Sequence, residues 1–438
     1  MTIRLQQELR REAATAETYD VYARSLVTAR RSRRRAMASW AVVVAALALV
    51  VPLAGRPEPI PVADGESPSL PDRLGLPAYG SLDATAYPHL GAASALFGGF
   101  GTRFGGFADD PDRYGLAGAT TDRYRVLRKG FTDGSALLSP DGRTVADAAT
   151  PDGPDRRAVI RLTDLATGRI SWLPGTGSRA VAWSPDGRRL AIEDVAADGR
   201  SGALRILEVA DGRAVALVTY PRDQGAFEVT AAFAPDGRFA YVQDFRAHVV
   251  DAAGTELLTF PAGAYLLTGK GSWTPDGRSF AMVKRTDRGW TPHWFDASTG
   301  REVPGPALPA VPGDLSGDLV GLPGDALAHL LGWRRDGTAL VFAGHRVLGL
   351  TPGAAAPATV MTVPGQVQTL DLADQAIAGG LVRPGDPPFA IGPRLRIWLA
   401  GLLLAVLLLV LWARHRRGRA RWRRVAAVPW RTTNGEIA

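Results

Sequence analysis

The feature that most constrains this chain is a short motif that keeps returning. "AVAWSPDGRRLAI" at 180–192 reappears in altered form as "ALLSPDGRTVA", "AAFAPDGRFAYV", "GSWTPDGRSFAMV" and "LGWRRDGTALVF". Its turn residues are Pro140-Asp141-Gly142, Pro185-Asp186-Gly187, Pro235-Asp236-Gly237, Pro275-Asp276-Gly277 and, without the proline, Asp336-Gly337. Proline presets φ for the first corner of a type I turn, aspartate suits the second, and glycine takes the left-handed position that follows. Such a turn joins antiparallel strands with the correct twist, so each copy predicts a β-hairpin. Three residues before each Asp stands a large apolar residue, Leu138, Trp183, Phe233, Trp273 or Trp333. A bulky side chain in one slot of every copy predicts one packing position, repeated.

A second hairpin signal follows most copies: "DLATGRI" at 164–170, "EVADGRAV" at 208–215, "DAAGTEL" at 251–257 and "ASTGREV" at 297–303. Two hairpins in each ~40–50 residues make four strands, the period of a propeller blade. A lone blade cannot cover both its faces, and neighbours around a ring do so. Residues 94–127 predict a further, degenerate blade, and 365–382 another hairpin or the closing strands. The expected fold is therefore all-β, a propeller of six or seven four-stranded blades, flanked by two transmembrane α-helices.

The "WSPDGRRLA"-type repeats, over about 130–350, resemble the blades of TolB-like and WD-repeat-like β-propellers. That resemblance implies the fold; propellers of this kind include both binders and enzymes, so it does not choose a function. Lysine occurs only at positions 129, 270 and 284 while Arg, Ala and Gly are abundant, a bias similar to that of high-GC bacteria such as actinomycetes.

The flanking helices are read from "AMASWAVVVAALALVVPLA" at 36–54 and "LRIWLAGLLLAVLLLVLWA" at 395–413. About 20 apolar residues are needed to cross a bilayer. Arginine clusters lie before the first run and after the second: residues 1–36 carry nine Arg and four acids, and 414–438 eight Arg and one acid. With Arg394 and Arg396 added, residues 56–393 are left at −6 within an overall +8. The positive-inside rule then puts both termini in the cytoplasm and the middle outside a bacterial plasma membrane. The expected divisions are a helical tail at 1–35, a span at 36–54, a Pro-rich linker at 55–77, the propeller at 78–383, a linker at 384–394, a span at 395–413 and a basic tail at 414–438. The expected partners are the bilayer, an external protein or cell-wall ligand, and a cytoplasmic regulator at the N-terminal tail. "ELRREAA … ARRSRRR" looks like tails of membrane proteins paired with extracytoplasmic-function sigma factors. A mildly acidic middle is unsuited to phosphates, so no nucleic acid is expected.

Chemistry is sparse. The absence of cysteine removes disulfides and thiolate chemistry. The histidines show no ligand-type spacing and no Gly-x-Ser-x-Gly elbow appears, so no catalytic residue, metal or cofactor is expected. The turn aspartates are read as bonding their own turns. Candidate ligand contacts are Trp290, His293 and Trp294 in "RGWTPHWF", and Phe100 and Phe104 in the glycine-rich "FGGFGTRFGGF". The expected role is a non-catalytic binder, a sensor or regulator. The alternatives are a propeller lyase or hydrolase with a site at the channel mouth, and a scaffold for membrane-protein assembly.

Overall fold

The computed structural model describes residues 7–8, 10–11, 67–77, 81–98, 113–128, 136–151, 159–173, 179–196, 200–221, 230–284, 290–311, 329–386, 401–412 and 414–415. One compact unit spans Pro59–Leu395. Within it lie six four-stranded antiparallel sheets, the lower of the two blade counts expected.

The second blade is β5 (Leu137–Leu138), β6 (Thr144–Ala149), β7 (Val159–Asp164) and β8 (Ile170–Trp172), and the third is β9 (Arg179–Trp183), β10 (Arg189–Val195), β11 (Ser201–Glu208) and β12 (Ala214–Pro221). The fourth is β13 (Thr230–Phe233), β14 (Phe239–Gln243), β15 (Arg246–Val250) and β16 (Glu256–Pro261). The fifth is β17 (Tyr265–Leu267), β18 (Ser279–Lys284), β19 (Pro292–Asp296) and β20 (Glu302–Val303), and the sixth β21 (His329–Trp333), β22 (Ala339–Ala343), β23 (Arg346–Leu350) and β24 (Ala358–Thr362). Each is a simple meander from an inner to an outer strand.

The first blade is composite. Its outer three strands, β2 (Ala93–Gly98), β3 (Arg113–Gly118) and β4 (Tyr124–Arg128), come from the start of the unit, while its inner strand, β25 (Thr369–Leu372), comes from the end. A circle of sheets has no natural last partner, and lending one strand across the seam closes it. A second clasp is the parallel pair of β1 (Leu70–Pro71), which falls in the Pro-rich stretch, and β26 (Val382–Arg383). The helix α1 (Asp374–Gly379) follows β25 and buries Ala376 and Ile377, the latter against Gly332 of β21.

The turns follow the expected chemistry. Gly142, Gly187, Gly237, Gly277 and Gly337 all have φ between 67° and 86°, a left-handed conformation open to glycine at little cost. Each aspartate Oδ1 accepts the N–H two residues on, at 2.9–3.1 Å. Where Ser139, Ser184 or Thr274 precedes the proline, its hydroxyl donates to the same carboxylate at 2.6–2.7 Å.

Packing between blades repeats as well. The indole N–H of Trp273 donates to Ala232 O of the preceding inner strand at 3.1 Å, and that of Trp333 to Gly271 O at 2.8 Å. Trp183 approaches Leu137 O at 3.5 Å. Arg189 reaches forward to Gly237 O and Ala252 O of the next blade, over the Phe233 ring, and Arg238 to Gly277 O, over Trp273. An amphipathic stem with a charged head suits this bridging.

The two flanking spans require correction. Among the described residues no helix is long and apolar enough to cross a membrane. The run at 36–54 lies outside the described residues. Of 395–413, a helix covers 401–412, with Leu402, Leu404, Leu408 and Leu409 exposed. Those residues rise about 18 Å, short of a hydrocarbon core of about 30 Å. The apolar composition met the requirement for a span, but the described helix does not supply the length.

Candidate functional site

The inner strands β25, β5, β9, β13, β17 and β21 surround the ring axis, and one lysine reaches among them. Lys270 follows β17 in "TGKGSW", where Gly269 has φ 118° and the strand is irregular. Its Nζ lies 2.7 Å from Asp371 Oδ1 of β25 and 2.8 Å from Asp374 Oδ1 of α1, and it donates to Leu372 O. Asp371 Oδ2 accepts the N–H of Leu138 in β5 at 2.7 Å. A single carboxylate thus ties the fifth, first and second blades. Burial alone would lower the Lys270 ammonium, but Asp371 and Asp374 outweigh it and hold its pKa above the ordinary value. Burial pushes the Asp371 carboxyl up, opposed by Lys270 and the Leu138 N–H.

The other buried acids lie in the sheets. In the third blade Glu193 accepts from Tyr220 Oη at 2.5 Å and pairs with Arg179 at 2.8 Å. The Tyr220 ring lies across Gly202 of the strand between them, where an added Cβ would meet the ring at 2.7 Å. Glycine there lets an outer-strand phenol reach a second-strand carboxylate. Asp147 pairs with Arg161 at 2.6 Å, beside Tyr114, whose phenol is held above its ordinary range mainly by burial and then by Asp147. Asp194 pairs with Arg205 at 3.0 Å, and burial pushes its carboxyl up.

Of the sequence-selected contacts, Trp290 and Trp294 lie together and His293 lies apart from them. Trp290 and Trp294 are buried in one cluster with Val311, Leu330 and Val341, on the side of the sixth blade. Trp294 tilts against Trp333 at 5.9 Å and covers Gly305, where a Cβ would fall 1.8 Å from the indole. His293, the next residue along β19, faces the other side of the sheet. Its Nδ1 is 2.8 Å from Glu302 Oε1 and 3.5 Å from Tyr265 Oη. Phe100 and Phe104 lie outside the described residues. The turn triplets from Pro140 to Gly337 sit at one end of the inner strands, their aspartates engaged as above. Among the described residues no group of three or more His, Asp or Glu is placed to hold a metal ion.

Lys270 and Asp371 were not singled out from sequence. The available signal was a lysine in a chain with only three, set between glycines three residues before the Trp273 slot. Asp371 carried none, because its partners are distant in the chain.

No protein-family model matches the chain, and no curated protein matches it in sequence. Solved structures do resemble it. TolB from Acinetobacter baumannii matches at 16% identity and TM-score 0.36, over 65% of this chain and 66% of that one. The β-propeller domain of the Trilobed protease from Pyrococcus furiosus matches at 13% identity and TM-score 0.35, over 56% and 74%. A putative TolB from Agrobacterium tumefaciens matches at 16% identity and TM-score 0.31, over 44% and 73%. The chain therefore spans just under two thirds of the first of these.

Proposed function

We propose that the chain is a non-catalytic β-propeller that binds a protein, peptide or cell-wall ligand outside the cytoplasm, at a bacterial plasma membrane. One observation carries the non-catalytic part. Each buried carboxylate of the described propeller has a cationic partner: Asp147 with Arg161, Glu193 with Arg179, Asp194 with Arg205 and Asp371 with Lys270. General acid–base work calls for a carboxyl that meets the substrate. These are spent within and between blades, and the two acids beside Lys270 come from one short segment rather than converging from different blades.

The location is supported by the charge segregation, with basic ends and a net −6 middle. Added protease is expected to digest the propeller in intact protoplasts; a spared propeller would overturn the external placement. Capture from detergent-solubilised membranes, with the propeller and the N-terminal tail tagged in turn, tests the role. The propeller tag is expected to retain an external protein or cell-wall fragment. Turnover of a cell-wall fragment that Asp374→Asn abolishes would replace the binder with an enzyme.

A further inference from the structure

Two outer sheet edges of the ring are covered by the chain's own extended segments. At the sixth blade, Leu74 N donates to Thr362 O at 2.8 Å and Thr362 N to Asp72 O at 2.9 Å, a parallel addition to β24. At the first blade, Ala84 N donates to Val126 O at 2.8 Å and Val126 N to Leu82 O at 3.1 Å, a parallel addition to β4. The next edge around, β8 of the second blade, pairs only with β7 among the described residues. Arg169 O and Leu173 N bond toward β7, so the backbone N–H and C=O groups of Ile170 and Trp172 point away from the sheet. Their side chains are 40% and 42% exposed, where natural edges usually carry charge or proline.

The two faces beside that edge differ. On one, Ile170 and Trp172 offer apolar surface. On the other, Arg169 and Ser171 border a cleft of about 540 Å³ toward the third blade, lined also by Asp141, Asp164, Asp186 and Trp183. The lining of the cleft carries three carboxylates and one guanidinium. The Asp186 carboxyl is held below its ordinary value by Ser184, the Arg188 N–H and nearby arginines, which outweigh its burial.

We propose that the β8 edge is a strand-addition site for an extended peptide that alternates apolar and basic residues. The backbone pairs with Ile170 and Trp172, the apolar side chains lie beside those two residues, and the basic ones enter the acidic cleft. This is the peptide-recognition mode in which main-chain bonds give affinity and alternate side chains give specificity. It rests on the reading of the propeller as a binder and names the surface and the ligand chemistry.

The test uses the solubilised full-length protein and a fluorescein-labelled peptide of alternating lysine and valine, read by anisotropy. An otherwise identical peptide, N-methylated at alternate residues, is expected to bind about tenfold more weakly, since it lacks the edge-pairing donors. Ile170→Ser with Trp172→Ser is expected to weaken the parent peptide about tenfold at an unchanged melting temperature. Asp164→Asn with Asp186→Asn, which keeps the turn acceptors, is expected to weaken it about threefold. Equal binding of the methylated peptide, or affinity untouched by both double variants, overturns the proposal. Peptide binding that fails while the propeller tag still captures its ligand removes this edge alone. Capture that fails while the peptide binds removes the broader reading.

Discussion

The interfaces among the third to sixth blades and the seam where the first meets its neighbours are held by different means. In the former, two contacts recur: an indole donates back to the previous inner strand between the fourth and fifth and the fifth and sixth blades, and an arginine reaches forward over an aromatic ring between the third and fourth and the fourth and fifth. At the seam the inner strand β25 runs into α1 instead of an Asp-Gly turn, so that set has nowhere to form. The seam substitutes Lys270 with its two carboxylates, the β1–β26 pair and Arg383. The Arg383 guanidinium donates to the carbonyls of Ser69, Gly118 and Thr121 at 2.7–3.0 Å. Repetition supplies cheap, similar joints, while closure needs particular residues from distant parts of the chain.

The largest effect is expected where the seam depends on a charge. Lys270→Met leaves Asp371 buried without its cation and is expected to cost about 3 kcal/mol in urea unfolding. Adding Asp371→Leu should recover part of the loss, although Leu138 N then lacks its acceptor. A double variant as unstable as the sum of the two singles would show that the pair is not coupled, and that the seam is held by α1 and the β1–β26 clasp instead.

Two glycines with nearly the same backbone sharpen the contrast. Gly142, with φ 72°, packs its Cα side on the seam, and a Cβ there would lie 2.1 Å from Ala93 O. At Gly187, with φ 69°, a Cβ would meet only Pro140 Cδ, at 3.9 Å. Gly187→Ala should cost about 1 kcal/mol, the left-handed strain alone. Gly142→Ala should cost about 2 kcal/mol more, because a backbone carbonyl must move. Equal losses in thermal unfolding would mean that the Ala93 strand yields freely and the seam is not tight.

The same contrast explains what the sequence disclosed. The hairpins, the bulky slot and the four-strand period are local, and each was legible because proline, aspartate and glycine act within a few residues. That Trp294 would lie buried over Gly305 was not legible, since nothing nearby in the chain marks that glycine as its floor. Nor was Asp371, whose partners stand 101 and 233 residues away by position in the chain. The flanking spans were read from composition, and composition does not fix the length of a helix such as the one described over 401–412. His293 and Trp294 looked like one cluster in "PHWF" because adjacency in sequence conceals the alternation of a strand.

Among the contacts between successive inner strands from the second blade to the sixth, the tryptophans form a graded series. Trp333→Phe removes a 2.8 Å hydrogen bond to Gly271 O and should cost about 1 kcal/mol. Trp183→Phe removes only a 3.5 Å approach to Leu137 O and should cost about half as much or less. Urea midpoints that rank the two in reverse would show that ring packing, rather than the indole N–H, sets the strength of these joints.

The smallest effect concerns acid. The aspartates Asp186, Asp236, Asp276 and Asp336 of the repeated turns are held low by hydrogen bonds. At Asp296 the bonds from Ser298 and Thr299 bring its pKa from 3.8 to about 2. A carboxyl whose folded-state pKa lies below its unfolded value binds its proton later in the fold. Its stabilisation is therefore complete above pH 3.8 and is lost as pH falls toward 2. Asp371 is shifted the other way, so its own proton favours the folded state on acidification. Asp296→Asn preserves the turn acceptor but cannot titrate, so it should lower the urea midpoint slightly at neutral pH, leave it nearly unchanged at pH 2, and thereby flatten the fall between pH 4 and pH 2. An unaltered acid limb would show that the hydrogen bonds at Asp296 do not contribute to the acid sensitivity of the fold.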